Sequence, residues 1–243
     1  MKETTDAALA AQLATQAGEI LLTIQQSGQF SGKELGKEGD ARANAFLMDA
    51  LRTMRANDAI LSEEEADNLE RLATKRVWII DPLDGTREFS EGRNDWAVHV
   101  ALAIDGEPSI GAVALPGLGI TLRSDAPLDL SPQGQPLRML VSRTRPAAEA
   151  LSVAKALDAL LVPMGSAGAK AMAVVRGEAD IYLHTGGQYE WDNCAPAAVA
   201  IAAGLHASRV DGSPLRYNQA NTSLPDLLIC RPELAATVLA LIN

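Results

Sequence analysis

Cysteine, aromatic side chains and positive charge are all in short supply in this 243-residue chain. Two cysteines, Cys194 and Cys230, cannot staple a domain of this size, so a disulfide scaffold is excluded and two thiols in a reducing cytoplasm are expected. Aromatics make up 4% of residues, so the core must be built from Ala, Leu, Val and Ile. Lys and Arg number 21 against 31 Asp and Glu, a formal charge of −10. A chain this acidic lacks the cationic footprint that binds a nucleic acid backbone. Taken alone, the same charge also speaks against a phosphorylated ligand. No uninterrupted apolar run approaches the roughly 20 residues that span a bilayer, so no transmembrane segment is expected. The polar start, Met1 to Asp6, does not read as a secretory signal.

What is present is an ordinary globular composition, 47% hydrophobic and 21% charged. Leu9, Leu13, Ala17, Ile20, Leu21 and Ile24 recur at spacings of three and four, which predicts a helix over 6–26, stopped by Gly28. Ser31 to Gly39, rich in Gly and Lys, reads as a loop, with Asp40 as N-cap of a second helix carrying Phe46, Leu47, Ala50, Leu51 and Met54. Short β-rich runs follow at 59–61, 77–80, 96–104, 109–114 and 119–123, with Asp105-Gly106 as a hairpin turn. They predict an antiparallel sheet covered by the two helices. Pro127, Pro132, Gly134 and Pro136 mark a connector. Beyond it strands (139–141, 160–162, 180–183, 227–230) alternate with helices (147–157, 167–176, 196–203, 233–241), an α/β pattern. Two subdomains are expected, 1–135 and 136–243.

The segment with the most chemistry is Val77-Trp-Ile-Ile-Asp81-Pro-Leu-Asp84-Gly-Thr86. An apolar strand ends by delivering two carboxylates into a turn, where Pro82 is expected to stop the strand. Asp81 and Asp84 can converge on hard divalent cations such as Mg²⁺ or Mn²⁺, or simply cap backbone groups in the turn. Gly85 and Thr86 follow at the start of a helical turn, where N–H groups can face an anion. Glu63-Glu64-Glu65 also follows a short β-like run; it is either a solvated surface run or, if the two strands are neighbours, the source of a carboxylate beside Asp81. Asp192, in Glu190-Trp191-Asp192-Asn193, reads as a helix cap or as a third acid from the second subdomain. Gly165-Ser166-Ala167-Gly168 opens a helix and can cap it or cradle a phosphate. None of the three histidines, His99, His184 and His206, falls in these motifs, and a structural or surface role is expected for each.

Together these residues resemble the lithium-sensitive, Mg²⁺-dependent phosphatases: inositol monophosphatases, fructose-1,6-bisphosphatases and 3′(2′),5′-bisphosphate nucleotidases. The nucleotidases of the CysQ type are most similar, because the signature continues into Arg87-Glu88-Phe89, the upstream acids read Leu-Ser-Glu-Glu, and Trp191-Asp192 precedes a small-residue helix. The resemblance implies a layered α-β-α-β-α sandwich, with α+β and α/β halves and the active site between them. It implies two or three Mg²⁺, replaceable by Mn²⁺, held by Glu63, Asp81, the Leu83 carbonyl, Asp84 and Asp192. It implies that Glu63, or a Thr86–Asp40 pair, activates water. Substrate contacts would come from Leu83, Asp84, Gly85, Thr86, Arg87, Ser166, Lys170 and Asp192. The implied activity is removal of the 3′-phosphate of 3′-phosphoadenosine 5′-phosphate, and of its phosphosulfate analogue, in sulfate assimilation. Inositol 1-phosphate and fructose 1,6-bisphosphate remain alternatives. A homodimer and inhibition by Li⁺ follow from the resemblance alone. The chain departs from most members in carrying Gly36-Lys37 where they have Val-Thr, and its 117–136 stretch is abbreviated. Two other readings compete. In a haloacid-dehalogenase-like phosphatase the two acids are two apart rather than three. A metal-sensing module would keep the site without turnover.

Overall fold

The computed structural model describes residues 4–130, 132 and 134–242. The chain begins with two long antiparallel helices, α1 (Asp6–Ser27) and α2 (Gly32–Met54). The Thr5 hydroxyl caps α1 by accepting from the Ala8 N–H at 3.2 Å, and Gly28 ends it in the left-handed region at φ 65°. By length and mean hydropathy (1.3) α1 could cross a membrane, contrary to the expectation from uninterrupted runs. Its apolar face is instead packed into the core, with Leu9, Leu13, Leu21 and Ile24 buried against the sheet and α2.

The first sheet has the order β1 (Ala59–Ser62), β2 (Arg76–Asp84), β3 (Ala97–Ile104), β4 (Glu107–Leu115), β5 (Ile120–Arg123), with the short helix α3 (Thr86–Ser90) after β2. β1 and β2 are parallel; the other pairs are antiparallel. Asp105 and Gly106 join β3 to β4, both at positive φ (51° and 79°), as a two-residue hairpin requires. The second half contributes β6 (Arg138–Ser142), α4 (Ala148–Ala156), β7 (Leu160–Met164), α5 (Ala167–Val175), β8 (Ile181–His184), β9 (Gln188–Tyr189), α6 (Glu190–Ala202), β10 (His206–Ser208), β11 (Ser223–Leu224), β12 (Leu227–Cys230) and α7 (Pro232–Ile242). Its main sheet is ordered β10-β12-β8-β6-β7, and β9 pairs with β11 separately.

Strand alternation sorts the side chains into layers. Trp78, Ile80, Val98, Val100 and Leu102 face α1 and α2. Val77, Ile79, Ala101 and Ala103 face the opposite way, onto α5 and α6. Leu140, Tyr182 and Ile229 reach the same helices from the second sheet, while Met139, Val141, Leu183 and Leu228 pack on α4 and α7. The architecture is therefore the expected α-β-α-β-α sandwich, and a continuous apolar cluster runs from the first sheet through α5 and α6 to the second.

Three local expectations are corrected. The stretch 32–39 is helical, so Ser31, not Asp40, precedes the helix, and Asp40 lies in the body of α2. Gly36 and Gly39 serve close packing rather than a loop: a Cβ on Gly36 would stand 2.6 Å from Thr86 Cγ2 and 2.7 Å from Ser90 Oγ, and one on Gly39 2.9 Å from Phe89 Cε1. Pro82 does not stop β2, because the pairing with β3 shifts register between Asp81 and Asp84, and the missing N–H falls in that irregularity. Finally, α6 starts at Glu190 rather than Pro196, which puts Asp192 in its first turn.

Candidate active site

Topology brings the separated acids together. In the parallel β1–β2 pair Ser62 lies opposite Ile80, so the residues that follow, Glu63 and Asp81, leave adjacent strands side by side. The Glu63 N–H donates to the Ile80 carbonyl at 3.4 Å. The β2 irregularity turns Asp81 and Asp84 toward the same cleft, and the Asp81 carboxylate accepts from the Leu83 N–H at 3.0 Å. Asp192 arrives from the first turn of α6, where its carboxylate accepts from the Tyr189 N–H at 2.5 Å. One oxygen from each of Asp81, Asp84 and Asp192 lies within 4.8 Å of the others.

Such crowding resists ionisation. Burial, then the charges of Glu63, Asp84 and Asp192, push the Asp81 carboxyl well above its ordinary range. Burial and Asp192 lift Glu63 to about 7 even though its hydrogen bond with Asp81 works the other way. Burial and Asp84 lift Asp192 to about 6. Asp84 is the exception. Burial would raise it, but His99, the Ser166 hydroxyl and the Gly168 N–H outweigh burial and hold it down at about 2. The donors are all oxygens, and Asp81 and Glu63 in particular resist ionisation unless positive charge is supplied, while Asp84 stays ionised. That donor set fits hard divalent cations.

The second expected pair lies at the edge of this cluster. Thr86 Oγ1 is 3.5 Å from Asp40 Oδ1 and donates to the Leu83 carbonyl at 3.2 Å, so its single hydrogen is shared between two acceptors. Burial, with Glu64 and Glu63 nearby, raises Asp40 to about 7. Gly85, at φ 91°, precedes α3, a backbone position that excludes most side chains.

Glu63, Asp84 and Asp192 line a cleft of about 880 Å³ to which both halves contribute residues. Arg87 lines its rim, largely exposed and 3.7 Å from Glu91. Ser166 caps α5, accepts from the Ala169 N–H at 2.9 Å, and donates to Asp84. Lys170 is buried in the same wall, where its ammonium bonds the Gly165 and Ser166 carbonyls and lies 5.3 Å from the centre of the Tyr182 ring. The cleft thus gathers Glu63, Asp84, Asp192, Gly85, Arg87, Ser166 and Lys170 into one surface, with Asp81 beneath it; Asp40 and Thr86 stand to one side.

Several cleft residues carry no motif signal. Arg143 and Arg145 come from the loop after β6, and Arg143 bridges Glu88 and Glu91 at 2.8 Å each. Tyr189 and Trp191 stack 4.8 Å apart on its rim. His99 was expected to be structural or superficial, yet its fully buried ring stands 3.2 Å from Asp84. A signal for it did exist: a polar residue in the middle of the apolar run 96–104, on the face of Ala97 and Ala101.

Known proteins are similar to this chain over most of its length. The inositol monophosphatase family model matches residues 2–242. A Mycobacterium leprae protein named 3′-phosphoadenosine 5′-phosphate phosphatase is 52% identical, over 99% of this chain and 94% of its own length. A protein of Escherichia coli K12 named 3′(2′),5′-bisphosphate nucleotidase CysQ is 30% identical over 73% of this chain and 77% of its own. The crystal structure of CysQ from Bacteroides thetaiotaomicron superposes with a TM-score of 0.79 at 22% identity, covering 95% of this chain and 98% of that one, a likeness of fold. A family match across nearly the whole length, a close relative of the same size and a shared fold lead to one conclusion: the chain belongs to the inositol monophosphatase family.

Proposed function

We propose that the protein is a Mg²⁺-dependent phosphatase that removes the 3′-phosphate of 3′-phosphoadenosine 5′-phosphate, leaving AMP and inorganic phosphate. The observation that carries this reading is the oxygen cluster of Asp81, Asp84 and Asp192 beside Glu63, in a chain 52% identical to a protein named for that activity. Glu63, Asp81, the Leu83 carbonyl, Asp84 and Asp192 would hold the ions. When bound, Mg²⁺ supplies the positive charge that admits a phosphate dianion, activates water and stabilises the departing oxygen.

The chain's own groups account for the remaining steps. Gly85 and Thr86 present backbone N–H groups to phosphate oxygens at the start of α3. Asp40, above its usual range yet ionised over a useful share of molecules near neutral pH, takes a proton at Oδ1 relayed through Thr86 Oγ1. Glu63 orients the attacking water. Arg87, Ser166 and Lys170 line the path the substrate takes to Asp84 and Asp192. The unpaired, buried Cys194 and Cys230 fit a reducing compartment, and we assign the enzyme to the cytoplasm.

The test is phosphate release from 3′-phosphoadenosine 5′-phosphate, fructose 1,6-bisphosphate and inositol 1-phosphate, with Mg²⁺, with EDTA, and with Mg²⁺ plus Li⁺. The expected result is release from the nucleotide that EDTA abolishes and Li⁺ inhibits. Preferential hydrolysis of either other substrate would overturn the substrate assignment, and a phosphoenzyme trapped on Asp81 would overturn the mechanism.

A further inference from the structure

His99 belongs to no motif and is completely buried at the centre of β3. Three elements meet its ring. On one side Nδ1 lies 2.9 Å from the Trp191 carbonyl, in the first turn of α6 and next to Asp192. On the other side Nε2 stands 3.2 Å from Asp84 Oδ2, across the strand from the irregularity in β2. Above it lies Gly168 of α5, where a Cβ would overlap Nε2, so this helix keeps a glycine where the ring needs room. Among the described residues Nε2 has no hydrogen-bond partner beyond its contact with Asp84 Oδ2, although it is shut off from water. A buried polar atom that rests on a single contact is costly to keep, so that contact calls for a role.

The surroundings of Asp84 indicate the role. Its Oδ2 receives the Ser166 hydroxyl, the Gly168 N–H at 2.6 Å and the face of His99 Nε2. Its Oδ1 receives the Ala167 N–H at 3.1 Å and keeps lone-pair capacity. Resting on the metal-dependent reading above, we propose that His99 is a positioning residue: through Nε2 it fixes the Asp84 carboxylate, leaving Oδ1 available to a divalent cation. A carboxylate whose rotation is restricted in this way need not be ordered when the ion binds, and supporting contacts of this kind are typically worth 10–100-fold in metal affinity.

The alternative is that His99 merely ties β3 to α6 through Trp191. Two substitutions separate the roles. His99→Asn keeps a polar atom near the Nδ1 position and loses the one facing Asp84. His99→Gln keeps a donor near the Nε2 position and loses the contact with Trp191. Mn²⁺ affinity is read from the free-ion EPR signal, with circular dichroism reporting the fold. The expected result is a 10–100-fold weaker Mn²⁺ affinity in H99N, with H99Q within about threefold of wild type. If H99N does not fold, H99M, which fills the space with no donor, takes its place with the same expected loss. Wild-type affinity in the variant lacking the donor, or the reverse order of H99N and H99Q, overturns the assignment. Absence of Mn²⁺ uptake by the wild-type protein overturns the metal-dependent reading and this assignment with it, so the two failures are distinguishable.

Discussion

Asp81→Asn should kill the enzyme and stabilise the metal-free protein. Asp81 is 1% exposed, and its neighbours Asp84 and Asp192 have oxygens within 4.8 Å. At that distance, with an effective dielectric constant of about 20, each pair of full charges repels by about 3.5 kcal/mol. The protein avoids most of this by keeping Asp81 protonated, and the cost of doing so sets a ceiling. From an ordinary value of 3.8, holding the proton at pH 7 costs at most 1.36 × 3.2, about 4 kcal/mol, and at pH 5 at most 1.36 × 1.2, about 1.6 kcal/mol. The sign follows from the raised folded-state value. The native state holds the proton longer than the unfolded one, so stability is full below about pH 4 and falls as pH rises. An amide has no proton to retain and can still accept from the Leu83 N–H, at about 1–2 kcal/mol for its imperfectly paired NH₂. The net gain is at most about 2–3 kcal/mol at pH 7, or up to about 4–12 °C in melting temperature for a chain this long, shrinking to nearly nothing at pH 5. Scanning calorimetry in EDTA at pH 5, 6, 7 and 8 tests this. Mg²⁺ should raise the melting temperature of the wild type and leave the variant unmoved. A variant less stable than wild type at pH 7, or equally stabilised at pH 5 and pH 8, would refute the reasoning.

Other expectations follow from the same geometry. Asp84→Asn and Asp192→Asn should each lower Mg²⁺-dependent phosphate release by more than the roughly 100-fold that loss of a supporting contact costs, with an unchanged circular dichroism spectrum; near wild-type turnover in either would remove it from the metal site. Thr86→Ala should reduce kcat by about 10²–10⁴ with little change in KM, the usual contribution of a positioned proton acceptor. Asp40 must be ionised to act, so the acidic limb of kcat should fall between 3.8 and about 7, cation charge pulling it below the metal-free value; Asp40→Asn should flatten that limb. Gly36→Ala drives a methyl against Thr86 and Ser90 and should cost about 1–3 kcal/mol in chemical denaturation, with a fall in kcat because α3 must move.

What could be read from the sequence depended on the distance over which each cause acts. The strand leading into Asp81, the Asp105-Gly106 turn and the helix over 6–26 are set by neighbours within a few residues, and local pattern showed them. The loop assigned to 31–39 went wrong because Gly36 and Gly39 look like breakers locally. Their purpose is contact with Thr86, Ser90 and Phe89, about 50 residues away. Pro82 misled in a similar way, since whether its missing N–H matters depends on how β3 pairs across from it. Glu63 beside Asp81 required the register of a parallel pair, a long-range fact that spacing leaves open. His99 was set aside because its partners come from three different elements, β2, α5 and α6, and none is near it in sequence.

The charge of −10 has to be read by position rather than by sum. Exposed charges beyond a Debye length of about 8–10 Å are largely screened, so a surface excess of carboxylates does little to a ligand already in the cleft. The charges that matter are the acids Glu63, Asp81, Asp84 and Asp192 and the cations of the same cleft, Arg87, Arg143, Arg145 and Lys170. Two divalent ions would take the chain from −10 to −6, with all four added charges falling within the acid cluster. The acid cluster then turns from repelling phosphate to binding it, while Arg145 and Lys170 already place positive charge on the same cleft. A phosphate with a second anionic group on the same molecule can use both the loaded cluster and Arg145, whereas a neutral ring such as inositol offers Arg145 no charge; Arg143 and Arg87 are already paired with Glu88 and Glu91. Arg145, whose charge is felt at His184 together with that of Lys170, is where this difference should be measurable. Arg145→Ala should raise KM for 3′-phosphoadenosine 5′-phosphate more than tenfold, about 1.4 kcal/mol, and leave that for inositol 1-phosphate unchanged. An equal effect on both substrates would mean that the positive wall serves the site's general potential and does not select a doubly anionic ligand.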